Sequence, residues 1–266
     1  MNTSVAPSLS ADYGIDAPGV VRNLFVIGSI AWLVWASVML GFWSGLLVIP
    51  LPGLTLEFPM KTMGIEFGIL LPLMGVWMIW ESKVGKLRGR EQLLQQLSWT
   101  GAERVLDIGC GRGLLLIGAA KRLTTGKVTG IDIWQTEDLS GNHPEATLEN
   151  ARREGVSDRI EIQTADMRQI PFADNSFDVV VSRAAIHNLY ESTDRDKAIA
   201  GIARVLKPGG YALIEDIRHH RQYVAQFTKH GCPDIRRIDS IVMHFFLLLI
   251  TFGSLRPATL IVRKAS

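Results

Sequence analysis

Between Arg22 and Glu57 the chain carries no Asp, Glu, Lys or Arg, a charge-free stretch covering positions 23 to 56. Crossing a bilayer as a helix takes roughly 20 apolar residues. The stretch is long enough for that and too long for an ordinary core helix. Leu24 to about Val48 reads as a transmembrane helix with Trp32, Trp35 and Trp43 as aromatic anchors, broken by Pro50-Leu-Pro-Gly53. A second apolar run, Thr62 to Trp80, is interrupted only by Glu66 and ends on Trp77 and Trp80. Two such runs joined by about a dozen residues predict a membrane hairpin. Glu66 sits five residues past Lys61 and reads as an interfacial carboxylate, and Pro72 as a kink. A cleaved signal peptide fits less well, because the run starts late, exceeds the length of a leader core and follows a single basic residue, Arg22.

Basic residues set the expected orientation. Lys83, Lys86, Arg88 and Arg90 follow the second run, whereas the connection has only Lys61 and the amino-terminal tail only Arg22. The positive-inside rule then puts both ends on the cytoplasmic side of a plasma or inner membrane. The Lys83–Arg90 cluster is expected to meet anionic headgroups. The expected organisation is a cytoplasmic tail (1–22), a transmembrane hairpin (23–82), a basic juxtamembrane helix or linker (83–98) and a globular domain (99–266). With 28 Lys+Arg against 26 Asp+Glu, the chain lacks the basic excess of a nucleic-acid binder. Two Cys exclude a disulfide scaffold and a four-Cys zinc site.

After Glu91 the pattern changes. Short β-branched runs (104–108, 127–131, 159–163, 177–182 and 211–214) alternate with helical stretches (113–123, 145–154, 194–206 and 223–230). Such alternation predicts an α/β fold, a doubly wound and mostly parallel sheet, closed by antiparallel strands of which 258–262 is the last. Ligands in such sheets bind beyond the carboxyl ends of the strands, where the strand order reverses.

Chemistry-bearing residues fall at those ends. Val105-Leu-Asp-Ile-Gly-Cys-Gly-Arg-Gly113 is a strand running into a glycine-rich turn that opens a helix, with Asp107 just before the first glycine. Alternate glycines let the backbone approach a ligand closely. Asp132 ends the next strand, where a carboxylate can accept from both hydroxyls of a ribose. Asp166 ends the third. A dinucleotide site is disfavoured: the loop reads Gly-x-Gly-x-Gly, not Gly-x-Gly-x-x-Gly, and Asp107 repels a pyrophosphate.

This constellation resembles the class I S-adenosylmethionine-dependent methyltransferases over roughly residues 91–266. Ile170-Pro-Phe-Ala-Asp-Asn-Ser-Phe-Asp178 and Arg204-Val-Leu-Lys-Pro-Gly-Gly210 are similar to the small-molecule branch that includes quinone and sterol methyltransferases. The resemblance implies S-adenosylmethionine as cofactor. It implies that Asp107, Gly109, Cys110, Gly111, Arg112 and Gly113 hold its methionine end. Asp132 would bind the ribose with Ile133 against the adenine, Asp166 and Met167 would frame the ring, and Ser182 and Arg183 would border the methionine.

Methyl transfer asks a protein for alignment, water exclusion and a base where the acceptor loses a proton. Arg183-Ala-Ala-Ile-His-Asn-Leu-Tyr190 follows the fourth strand. His187 is the candidate base or orienting residue, with Asn188 and Tyr190 as helpers; the alternative is a histidine that caps or packs the following helix. The long loop 134–144 is either a lid or a surface insertion. His219, His220, His230 and Cys232 fit no tight metal-ligand spacing, and no metal is expected. Ile241–Phe252, apolar except for His244 but too short to span, reads as an apolar wall, a membrane-dipping patch or a buried strand connection. The expected partners are the lipid bilayer and a small, lipophilic acceptor (a quinone-like ring, a lipid amine or a thiol), not nucleic acid. The alternatives are a membrane-anchored cofactor-binding scaffold or sensor without turnover, and a methyltransferase of a membrane protein.

Overall fold

The computed structural model describes residues 10–239 and 256–266. The apolar run Ile241–Phe252 lies outside the described residues. The chain divides into two units: one holds Gly14–Lys86 and Thr136–Ser140, the other the described part of Met1–Tyr13, Leu87–Gln135 and Gly141–Ser266.

The first unit is built on two helices. Helix α1 (Pro18–Met39) starts with a proline, whose missing N–H would have had no intrahelical partner there. Strands β1 (Leu46–Leu51) and β2 (Leu54–Pro59) follow, and then helix α2 (Met60–Trp80). The helices run antiparallel: Phe25 meets Gly75, Gly28 meets Pro72, Trp32 meets Gly68 and Trp35 meets Gly64. Gly64 and Gly68, four residues apart, let the backbones approach closely. A Cβ on Gly64 would come within 2.9 Å of the Ala31 carbonyl oxygen. Both helices are long and apolar enough to cross a membrane, and only 11% and 17% of their most apolar windows is buried.

The first helix stops earlier than expected. Its predicted end near Val48 is corrected to Met39, because Gly41 and Gly45 take left-handed backbone (φ 77 and 76°). The residues that follow pair as an antiparallel hairpin, Leu46 opposite Pro59 and Leu51 opposite Leu54, turning at Gly53. Charge-free sequence alone does not separate helix from strand.

A π-helical turn, Glu81–Gly85, leads from α2 into α3 (Lys86–Leu94). Two of the four basic residues expected at the lipid surface point inward instead. Lys86 is buried, donating to the Gly14 carbonyl and to Asp16 Oδ1, each at 2.9 Å. Arg90 is buried in the second unit, donating to Tyr13 Oη at 3.2 Å and Glu91 Oε1 at 2.8 Å. Tyr13 also reaches Glu154. Part of the expected tail is therefore folded into the globular unit.

That unit is a seven-stranded sheet of β3 (Arg104–Ile108), β4 (Lys127–Asp132), β5 (Ile160–Thr164), β6 (Phe177–Arg183), β7 (Leu206–Asp216), β8 (Asp234–Asp239) and β9 (Ala258–Arg263), in the order β5-β4-β3-β6-β7-β9-β8. Strands β3 to β7 pair in parallel, and β9 runs antiparallel to both neighbours. This is the expected Rossmann-like sheet with an antiparallel last strand. Helices α4 (Leu114–Ala120), α5 (Pro144–Arg153), α6 (Ser192–Val205) and α7 (His220–Lys229) complete it.

Alternation along the strands feeds two apolar layers. Leu106, Ile108, Val180, Ile214 and Leu260 pack with Ile199, Ile202, Tyr223 and Phe227 of α6 and α7. Val105, Val128, Val181, Leu213 and Ile261 pack with Leu94, Leu116 and Ile117 of α3 and α4. Both faces are buried, as a parallel sheet requires. The strand order reverses between β3 and β6, so their carboxyl ends border the crevice where this architecture binds ligands.

Candidate active site

Three left-handed glycines shape the turn after β3: Gly109, Gly111 and Gly113, with φ of 69, 51 and 85°. Gly109 is also sterically required, since a Cβ there would lie 2.4 Å from Ala185 Cβ. The Gly109 and Cys110 N–H groups donate to the Ile131 carbonyl at 2.9 and 3.1 Å, and the Gly111 N–H donates to Asp132 Oδ2 at 2.8 Å. Side chains secure the loop from outside. Thr147 Oγ1 donates to the Gly111 carbonyl, and Asn150 Nδ2 donates to the carbonyls of Arg112 and Asp12. Arg112 pairs with Asp12 at 3.1 Å. Asn150 and Asp12 carry no sequence motif, and sequence reasoning missed them.

Asp107 is 1% exposed, and its Oδ2 has no hydrogen-bond partner. Burial first, and then the charge of Asp132, pushes its carboxyl up to about 8. A buried carboxyl oxygen without a partner calls for a hydrogen-bonding or charged group from outside the chain. Cys110 lies beside it. Burial and the charges of Asp107 and Asp132 hold that thiol well above its usual range, which keeps it protonated and unreactive.

Asp132 accepts from the Gly111 N–H, from the Trp134 N–H at 2.6 Å and from Asn142 Nδ2 at 3.3 Å. Trp134 takes left-handed backbone (φ 63°) to make that contact. Its neighbour Ile133 is 45% exposed, an apolar surface available at the strand end. Asn142 Oδ1 is buried without a partner. The middle of the 134–144 loop, Thr136–Ser140, belongs to the first unit, where Asp138 and Ser140 pair with Ala17 and Ile15.

Asp166 caps the short turn Met167–Gln169 and is gripped by Arg168 through both carboxylate oxygens. Arg168 holds its carboxyl below the usual range and also reaches Asp194 at 3.0 Å. Met167 Cε lies 3.6 Å from the Cβ position of Gly109, so the third strand end meets the glycine turn. Ser182 is buried, its hydroxyl donating to the Ile108 carbonyl at 2.9 Å. That bond ties β6 to β3 at the crevice. Arg183 pairs with Glu215 at 2.9 Å.

Beyond β6, His187 Nδ1 lies 2.5 Å from Asp216 Oδ1. Asp216 is the last residue of β7, 2% exposed, and it also accepts from the N–H groups of His187 and Ile217 and from Tyr223 Oη. Asp216 and Tyr223 were not anticipated. The available signal was an acidic residue closing the fifth strand, much as Asp107 stands one residue before the end of the first. The expected helpers stand differently: Asn188 donates its backbone N–H to Ala185, and Tyr190 is 94% exposed. Among the described residues no three His, Cys, Asp or Glu side chains are grouped to hold a metal. A cavity of about 840 Å³ lined by Trp99, Lys207, Tyr211 and Arg236 lies at the opposite, amino ends of the strands and shares none of these residues.

Residues 106–214 match the family described as a methyltransferase domain. Methyltransferase GfsG of Streptomyces halstedii is 36% identical over 130 residues, 49% of this chain and 43% of that protein. Sterol 4-C-methyltransferase strm-1 of Caenorhabditis elegans is 36% identical over 47% of this chain and 34% of its own. The 2-phytyl-1,4-naphtoquinone methyltransferase of Nostoc sp. is 33% identical over 49% and 54%. The chain thus spans about half or less of the length of these relatives. Among solved structures, geranyl diphosphate C-methyltransferase from Streptomyces coelicolor A3(2) superposes with a TM-score of 0.54 at 15% identity, covering 67% of this chain and 76% of that one. The [4+2]-cyclase SpnF superposes at 0.53 with 21% identity, covering 67% and 80%. These two likenesses show the fold.

Over residues 106–214 the chain is similar to methyltransferase domains, and these likenesses support S-adenosylmethionine as its cofactor. The site fits that molecule: Asp107 keeps one buried oxygen without a hydrogen-bond partner among the described residues, and the turn beside it leaves no room for a Cβ at Gly109.

Proposed function

We propose that the protein is a membrane-anchored enzyme that transfers a methyl group from S-adenosylmethionine to a small, lipophilic acceptor. The observation that carries the reading is the buried, unpaired Oδ2 of Asp107 beside the glycine turn. When bound, the cofactor supplies a methyl group already activated on a sulfonium.

The chain's residues bind and align. Asp107 takes the cationic methionine end, while Gly109, Cys110, Gly111, Arg112 and Gly113 supply a turn that the backbone of a ligand-sized group can approach. Asp132 and Asp166, each with protein donors already on its oxygens, accept from the ribose and the adenine amino group. Ile133 and Met167 flank the ring. Ser182 fixes the spacing of β3 and β6, and Arg183 with Glu215 braces the methionine side. His187, at the end of β6, faces the acceptor.

Two exposed apolar helices support anchoring in a bilayer. Among similar proteins, one is named for a sterol and one for a phytyl-naphthoquinone, which supports a lipophilic acceptor. The excess of basic residues after the second apolar run over the single Lys61 of the connection supports both ends on the cytoplasmic side. The test is release of S-adenosylhomocysteine by membranes carrying the wild-type chain, supplied with lipid extract. Wild type is expected to release it and Asp107→Ala is not. Binding of the cofactor with no release from any extract would instead favour a cofactor-binding scaffold.

A further inference from the structure

We propose that the acceptor is a weakly acidic hydroxyl, a phenol or enol on a lipophilic body, methylated on oxygen, and that Asp216 and Tyr223 position His187 to receive its proton. This deepens the methyltransferase reading above and rests on it.

The juxtaposition comes from the sheet. Strands β6 and β7 pair in parallel with Arg183 opposite Glu215, which brings the turn holding His187 (Ile186–Asn188) beside Asp216. Asp216 collects four donors: His187 Nδ1 at 2.5 Å, the His187 N–H at 3.1 Å, the Ile217 N–H at 2.8 Å and Tyr223 Oη at 3.1 Å. Burial and the nearby Asp216 charge push the Tyr223 hydroxyl upward, so it stays protonated and donates. A carboxylate this well served cannot rotate. It therefore fixes the His187 tautomer with the proton on Nδ1, leaving a lone pair on Nε2. Nε2 makes no hydrogen bond among the described residues, and the His187 side chain is 17% exposed against 1% for Asp216. Only the imidazole reaches outward.

Charge and acidity narrow the acceptor. Arg195, 6% exposed, donates to the Leu189 and Tyr190 carbonyls and to Gln222 Oε1, none of them charged. Its field acts on both His219 and Tyr223, which flank Asp216. Arg183 is balanced by Glu215. An ammonium acceptor would bring its positive charge into the field of the buried Arg195, whereas a developing oxyanion is favoured by it. Imidazole, with an ordinary pKa of about 6.5, can assist a phenol near 10 far better than an alcohol close to water at about 15.7. A thiol, near 8.5, ionises with little help. In the step, the acceptor O–H proton passes to His187 Nε2 and an oxygen lone pair forms the bond to the methyl carbon. The carbon–sulfur bond breaks with its electron pair on sulfur, leaving a neutral thioether. The imidazolium then returns its proton to solvent.

The experiment uses the full chain in detergent with methyl-tritiated cofactor and four probes sharing one tail: 4-octylphenol, 1-octanol, octylamine and octanethiol. Label is expected on 4-octylphenol oxygen at least tenfold faster than on the others. Asp216→Asn should lower kcat about 100-fold with cofactor Kd within twofold, and Tyr223→Phe about threefold with KM unchanged. Independently of turnover, ¹⁵N spectra of ligand-free wild type should show His187 protonated on Nδ1 and bare on Nε2, with that preference lost in Asp216→Asn. Equal or faster labelling of octylamine or octanethiol overturns the proposal, as does the other tautomer in wild type. Labelling of no probe while the cofactor binds also counts against it. Failure of the cofactor to bind at all sinks the methyltransferase reading instead.

Discussion

Two buried aspartates close strands on either side of β6, and they are finished differently. Asp107 ends β3 with one oxygen unpaired, whereas Asp216 ends β7 with four donors on its two oxygens. Their exposures, 1% and 2%, are the same within any meaningful difference. Burial raises the free energy of a charged carboxylate, and hydrogen bonds to the charged form lower it. In the proposed reading the unfinished group binds the cofactor, and the finished one acts through the imidazole it holds.

The contrast predicts opposite signs of stability. In Asp107→Asn the ligand-free protein should gain stability at pH 8, while cofactor affinity falls at least ~100-fold, about 2.7 kcal/mol. The carboxyl ionises near ~3.9 in an unfolded chain and at about 8 when folded. Folding must therefore keep a proton on it between those values. Its contribution is whole below about 4 and is lost as pH rises towards 8, so thermal melts should show the Asn variant's advantage growing over that window. Asp216→Asn should instead lower stability by about 1–3 kcal/mol, because buried donors lose their charged acceptor. Equal and same-signed shifts for the two variants would break the distinction.

The cofactor half of the site was readable because its parts are local. Asp107, Asp132 and Asp166 each follow a short β-branched run, and the glycine turn lies within six residues of the first. His187 was readable as the histidine in the segment that follows β6, where a base would sit. Its partner was not: Asp216 lies 29 positions away, and only the β6–β7 pairing joins them. Distance in sequence also hid Asp16 from Lys86 and Tyr13 from Arg90, so basic residues read as lipid-facing turned inward. The β1–β2 hairpin was missed because an unbroken apolar run carries no mark of period.

A smaller effect refines the comparison within the cofactor half. Asp166 already receives Arg168 on both oxygens, so in the proposed site an adenine amino group would have to share it. Arg168→Ala should change cofactor Kd by about three- to tenfold, read by equilibrium dialysis, with kcat little altered. An effect as large as that of Asp107→Asn would place the main cofactor contact at the adenine end. Smaller still, Asn150→Ala should weaken cofactor binding about twofold by freeing the Arg112 carbonyl, which it now holds at 2.9 Å.

Calorimetric titration of the full chain in detergent with S-adenosylmethionine, at pH 7 in two buffers of different ionisation enthalpy, tests the account most directly. A carboxyl held near 8 is mostly protonated at pH 7 and must ionise to meet a cation. Binding should therefore release close to one proton, and Asp107→Asn should show neither that release nor comparable affinity. Binding that is buffer-independent and unchanged in Asp107→Asn, or no heat at millimolar ligand, would contradict it.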